Sequence, residues 1–97
     1  MKIDTKDLKV IHNPSAHRFE IQLGDQIALS AYRLEGKTIK FYHVEVPQEF
    51  ELQGIGNLLA KASLDFAREK SYQAVPACPF IAAYLRRHTE YRDVVKK

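Results

Sequence analysis

The sequence predicts a mixed α/β fold: an antiparallel meander, a helix, a strand parallel to the last strand of the meander, and a C-terminal helix. Three observations predict it. Apolar and polar residues alternate through the first half, apolar residues recur at helical spacing from Ile55 onward, and 97 residues hold only one core. Residues 1–97 are therefore read as a single domain.

Taken in order, Leu8 to His12 is a candidate edge strand that stops at the Asn13-Pro14-Ser15 break. In the next strand Phe19, Ile21 and Leu23 share one face and Arg18, Glu20 and Gln22 the other, and Gly24-Asp25 turns the chain. Gln26 to Leu34 follows, with Ile27, Leu29 and Ala31 expected inward, and Glu35-Gly36-Lys37 connects it to Thr38 to Val46. After Pro47 and the segment Gln48 to Gln53, the residues Ile55, Leu58, Leu59, Ala62 and Phe66 mark one face of a helix ending near Lys70. Tyr72 to Ala77 is a short strand, which a right-handed crossover places parallel to the strand before the helix. Pro79 suits a first helical position, and Phe80, Ala83 and Tyr84 give the last helix an apolar side as far as Arg87 or His88.

Composition narrows the function. One cysteine, Cys78, cannot form an internal disulfide, and it and the four histidines match no zinc-ligand spacing, so no metal is expected. No apolar run is long enough to span a membrane, and Met1-Lys2-Ile3-Asp4 does not begin a secretory leader, which makes the cytoplasm the expected location. Of the net charge of +3, residues 1–49 contribute nothing, whereas residues 50–97 carry eight cations against five acids. Arg86, Arg87, Arg92, Lys96 and Lys97 supply most of that excess, but Glu90 and Asp93 dilute it and no exposed aromatic row accompanies it. A nucleic-acid partner is therefore not expected.

Three places can carry chemistry. Gln53-Gly54-Ile55-Gly56-Asn57 lies between a strand end and a helix start, where glycine-rich backbone and unpaired N–H groups make an anion cradle. On position alone an ordinary strand-to-helix turn is the stronger reading. The third glycine of a dinucleotide fingerprint is missing, and so is the Gly-Lys-Ser/Thr of a phosphate loop. Regular alternation would place His43 and Glu45 on the face of Ile39 and Phe41, an acid and an imidazole ending an apolar row where a general base is useful. A surface pair at a strand edge is the alternative. Cys78 falls at the N-cap of the last helix, where helix N–H groups favour a thiolate, although a small buried residue fits there too. Tyr84, on the same helix, is either a proton donor or core.

The run Tyr42-His43-Val44-Glu45-Val46-Pro47, followed by Gln53-Gly54-Ile55-Gly56, Pro76-Ala77-Cys78-Pro79-Phe80 and Tyr84-Leu85-Arg86-Arg87-His88, resembles the small stand-alone N-acetyltransferase-like proteins of the GNAT superfamily over about residues 18–93. The resemblance implies a minimal version of that acyl-CoA N-acyltransferase fold, binding acetyl-CoA and passing the acetyl group to an amine or thiol acceptor, small or peptidic. On this resemblance Gln53, Gly54, Ile55, Gly56 and Asn57 form the pyrophosphate loop, and Val46 and Pro79 complete the cofactor-binding set. Glu45 is the base, Tyr84 protonates the departing thiolate, and Cys78 sits at the acetyl group. The family usually carries Gln or Arg three residues before the first glycine, and its small members commonly Arg-Gly; this chain has Glu51-Leu52. A carboxylate beside a pyrophosphate costs on the order of 1 kcal/mol when solvated. That departure sustains an alternative, a non-catalytic CoA-binding or protein-interaction module. The short chain also leaves room for a partner or a second copy, as in a homodimer, to complete the site.

Overall fold

The structure is a computed structural model describing residues 5–96; Met1 to Asp4 and Lys97 lie outside the described residues. Five strands form one sheet in chain order: β1 (Ile11–Asn13), β2 (Arg18–Leu23), β3 (Gln26–Glu35), β4 (Thr38–Glu45) and β5 (Gln73–Pro76). The first four pair antiparallel and β5 joins β4 in parallel, as the change of period predicts. Helix α1 (Ile55–Glu69) supplies the crossover between them, and α2 (Pro79–Arg87) follows β5. Beyond β5 the chain returns, and Ala74 N–H donates to Val94 C=O while Lys96 N–H donates to Ala74 C=O, each at 2.8 Å. The edge strand is shorter than expected: it begins at Ile11 and stops at Asn13, where Pro14 opens a single 3₁₀ turn.

Both helices contact β4, β5 and each other. Phe19, Ile21, Ile39 and Phe41 from the sheet meet Ile55, Leu59 and Leu64 of α1 and Ile81 and Tyr84 of α2 in one core. Of the residues expected inward on β3, Ala31 is buried, but the register corrects the placement of Ile27 and Leu29. Ile21 pairs with Ala28 and Phe19 with Ser30, so Ala28, Ser30 and Tyr32 share the core face, and Ile27 and Leu29 lie on the other. A slip of one residue exchanges the faces of a strand, and three apolar residues on each side of β3 leave hydrophobic pattern unable to choose. Small residues on this face let α1 approach closely. The fully buried Ser63 hydroxyl donates to Leu59 C=O at 2.7 Å and lies 3.0 Å from Ser30 Oγ. For the same reason the buried stripe of α1 runs through Ile55, Leu59, Ala60, Ser63, Leu64 and Ala67, with Leu58, Ala62 and Phe66 only partly buried at its border. On α2, Ile81 rather than Phe80 joins Tyr84 in the core.

Candidate functional site

The parallel pairing of β4 with β5 ends at Phe41 and Pro76, while β4 continues to Glu45. Beyond that pair the strands part. A cleft of about 500 Å³ lies at this end of the molecule, against Val44 and Val46, the start of α1 and the side of α2 that carries Phe80 and Arg87. A β-bulge aims these side chains. Tyr32 pairs with Phe41 but Ala31 with His43, which leaves Tyr42 as the extra residue. One additional residue reverses the alternation. Val44, opposite the core-facing Ser30, and Val46 therefore turn towards the helices, and His43 and Glu45 turn to the opposite face. The expectation that His43 and Glu45 continue the Ile39–Phe41 row is overturned by this bulge. The pair is exposed, with Nε2 of His43 3.1 Å from a Glu45 carboxylate oxygen.

The floor of the cleft is the first turn of α1. Gly54 takes a left-handed conformation (φ 83°) as N-cap, a geometry that disfavours a side chain. Leu58 N–H donates to Gly54 C=O at 3.2 Å, while the N–H groups of Ile55, Gly56 and Asn57 belong to the turn that has no preceding helical carbonyl. Gly56 lets the Phe80 ring lie against the helix start, since a Cβ there would stand 2.5 Å from the end of that ring and push it away. Phe80 thus closes onto the helix start and walls the cleft. Arg87 adds a cation on the same side, its guanidinium 3.5 Å from the Asn57 side-chain oxygen. Phe50 forms an apolar wall, whereas Glu51 and the fully exposed Leu52 (φ 65°) form the rim.

Of the residues expected to hold a cofactor, the cleft brings together Val46, Gly54, Ile55, Gly56 and Asn57. Gln53 and Pro79 flank it without lining it. Cys78 is the N-cap of α2 but its thiol is buried in the core, and its side chain makes no capping hydrogen bond. Tyr84 is buried, stacked on His88 with ring centroids 4.0 Å apart. Burial, then the charge of Glu90, raises its pKa. Arg87 and Phe80 are the cleft residues that sequence reasoning assigned elsewhere, one to a charged tail and the other to an apolar helix side. Their seven-residue separation, two helical turns, is the available signal that they share a face.

This sheet, its parting strands and the glycine-rich helix start are those of the GCN5-related N-acetyltransferases. The family model so described matches residues 18–94, and the chain belongs to this family. Among its relatives, Protein NATD1 of Xenopus tropicalis is 31% identical over 85 residues, covering 84% of this chain and 78% of that protein. Protein NATD1 of Mus musculus is 33% identical over 82 residues, covering 81% and 74%. The solution structure of a GCN5-like protein from Staphylococcus aureus superposes with a TM-score of 0.74 at 27% identity, over 93% of this chain and 89% of that one. Among the described residues, no helix is long and apolar enough to cross a membrane.

Proposed function

We propose that this protein binds acetyl-CoA in the cleft and transfers the acetyl group to an amine. The observation that carries this reading is the convergence of the α1 first-turn N–H groups, the left-handed Gly54, the Gly56–Phe80 contact and Arg87 on one cleft at the opening between β4 and β5. The fit to a pyrophosphate is chemical. Ile55, Gly56 and Asn57 would donate backbone hydrogen bonds reinforced by the helix dipole, and Arg87 would neutralise charge from the side. When bound, acetyl-CoA supplies an activated thioester.

The remaining roles fall to side chains around the strand ends. Glu45, on the face of β4 opposite Val46, would take the proton from the acceptor ammonium, directly or through one water, with His43 beside it. The free edge of β4 near Val46 offers N–H groups to the acetyl oxygen. Tyr84, kept protonated by burial, would return a proton to the leaving thiolate. Cys78, with its thiol in the core two residues past the end of β5, is proposed to lie behind the acetyl group.

Calorimetric titration with acetyl-CoA, CoA and desulfo-CoA tests the reading, and an absence of binding at millimolar ligand overturns it. Glu51 on the cleft rim supports the second reading, a CoA-binding module without turnover. An amine panel, with Glu45→Gln and Cys78→Ala as controls, separates the two: binding without acetylation establishes the module.

A further inference from the structure

On the side of α2 turned away from the cleft lies a second hollow, of about 380 Å³. Phe80 and Arg87 face the cleft, whereas Ala82, Leu85 and Arg86 face this hollow, nearly half a helical turn round. Its apolar floor is completed by Pro76 and Val95, and its rim carries Arg86, Arg92 and Lys96. All three cations are exposed, and none forms an ion pair among the described residues. The nearby acids are otherwise engaged: Asp93 pairs with Arg68 at 2.7 Å, and Glu90 lies 3.4 Å from His88. Lys96 also lines a smaller hollow of about 250 Å³ with Arg33 and Lys40, where three cations stand against the single acid Glu35, so a net positive charge continues past the C-terminal return.

We propose that this groove docks an acidic protein segment, one apolar side chain resting on Leu85 and Val95 while flanking carboxylates pair with Arg86, Arg92 and Lys96. Charge complementarity commits it to an anionic partner. The apolar floor favours a peptide: a single strand would stack its bases on aromatic rings, which this hollow lacks, and a duplex would meet the cations through its phosphates and leave the apolar floor unused. The groove is separate from the cofactor cleft, and the inference goes beyond the reading of that cleft.

The test is fluorescence anisotropy of a fluorescein-labelled peptide of repeated Glu-Glu-Leu triplets, titrated with the full chain at low and physiological salt and without CoA. The acidic peptide is expected to bind, more weakly at the higher salt, and a Glu-Glu-Ser peptide several-fold more weakly than the Leu form. Arg86→Glu should weaken binding about tenfold. Arg87→Glu, the same charge change on the cleft side of the helix, should weaken it less than about threefold. Equal losses in the two variants, equal affinity for the Ser peptide, no binding, or tighter binding of a labelled single-stranded oligonucleotide each overturn the proposal. Because no cofactor is present, the outcome is distinguishable from failure of the acetyl-CoA reading.

Discussion

Single residues set two close approaches in this molecule. Where α1 crosses the sheet, Ser63 and Ser30 meet as a buried hydroxyl pair. Ser63→Ala should cost about 1–3 kcal/mol in denaturant unfolding by depriving Ser30 of this partner. The Ser30→Ala/Ser63→Ala double variant should recover most of that loss, since removing both groups leaves nothing unsatisfied. At the cleft, Gly56→Ala places a methyl against the far end of the Phe80 ring, a partly exposed side chain that can swing aside. Helix propensity favours alanine by up to about 1 kcal/mol. Stability should therefore change little while CoA affinity, read by calorimetry, falls as the ring moves into the cleft. A large stability loss with unchanged affinity would show that Phe80 is fixed and the cleft indifferent to it.

At the scale of elements, α1 is tied to the turn after α2 by Tyr91, whose buried hydroxyl donates to Asp65 at 2.6 Å. Burial pushes the Asp65 carboxyl up, but the hydrogen bonds from Lys61 and Tyr91 and the charges of Lys61 and Arg68 together outweigh it and hold the pKa below the ordinary value. A carboxylate depressed in the folded state stabilises fully above its unfolded value, about 3.9, and loses that contribution as pH falls through the lower folded value. Acid unfolding should reflect this. Tyr91→Phe should lower stability by about 1 kcal/mol near neutral pH, and the gap to the parent should close in strong acid, where Asp65 is protonated in both. The β4 bulge is the other decisive feature at this scale. Its extra residue, Tyr42, carries no glycine or proline signal, and Arg33 lies over its ring, 5.4 Å from the centroid. The signal in β4 is a change of phase, apolar at Ile39 and Phe41 and then at Val44 and Val46, and alternation carried through without it sends His43 and Glu45 to the wrong face.

For the whole molecule, the order of elements was legible from period and punctuation, because a parallel fifth strand follows from a strand, a helix and a strand in succession. The glycine-rich helix start on the cleft was legible for a similar reason: Gly54 takes the left-handed turn, and Gly56 leaves room for the Phe80 ring. Arg87 was not, since its role depends on which side of α2 faces the cleft. Ligand binding only to the folded chain adds to its stability. Acetyl-CoA at about 100 times its dissociation constant should raise Tm by on the order of 10 °C, and high salt should shrink the shift by screening Arg87 from the pyrophosphate. A salt-independent shift would transfer the binding energy from the cradle to the apolar walls, Val44, Val46 and Phe50.

By itself the sequence determined the elements, their order and the residue types at the helix start, because these follow from local periodicity and from glycine and proline geometry. Which way β3 and β4 face, how α2 divides its surface between a cleft and a basic groove, and the burial of Cys78 were decided only by tertiary structure. The physical reason is that strand register and helix rotation are chosen by the closest packing of facing elements. Here small residues such as Ala28, Ser30, Ala60 and Ser63 win the interior over Ile27, Leu29 and Leu58, because they let α1 lie directly on the sheet.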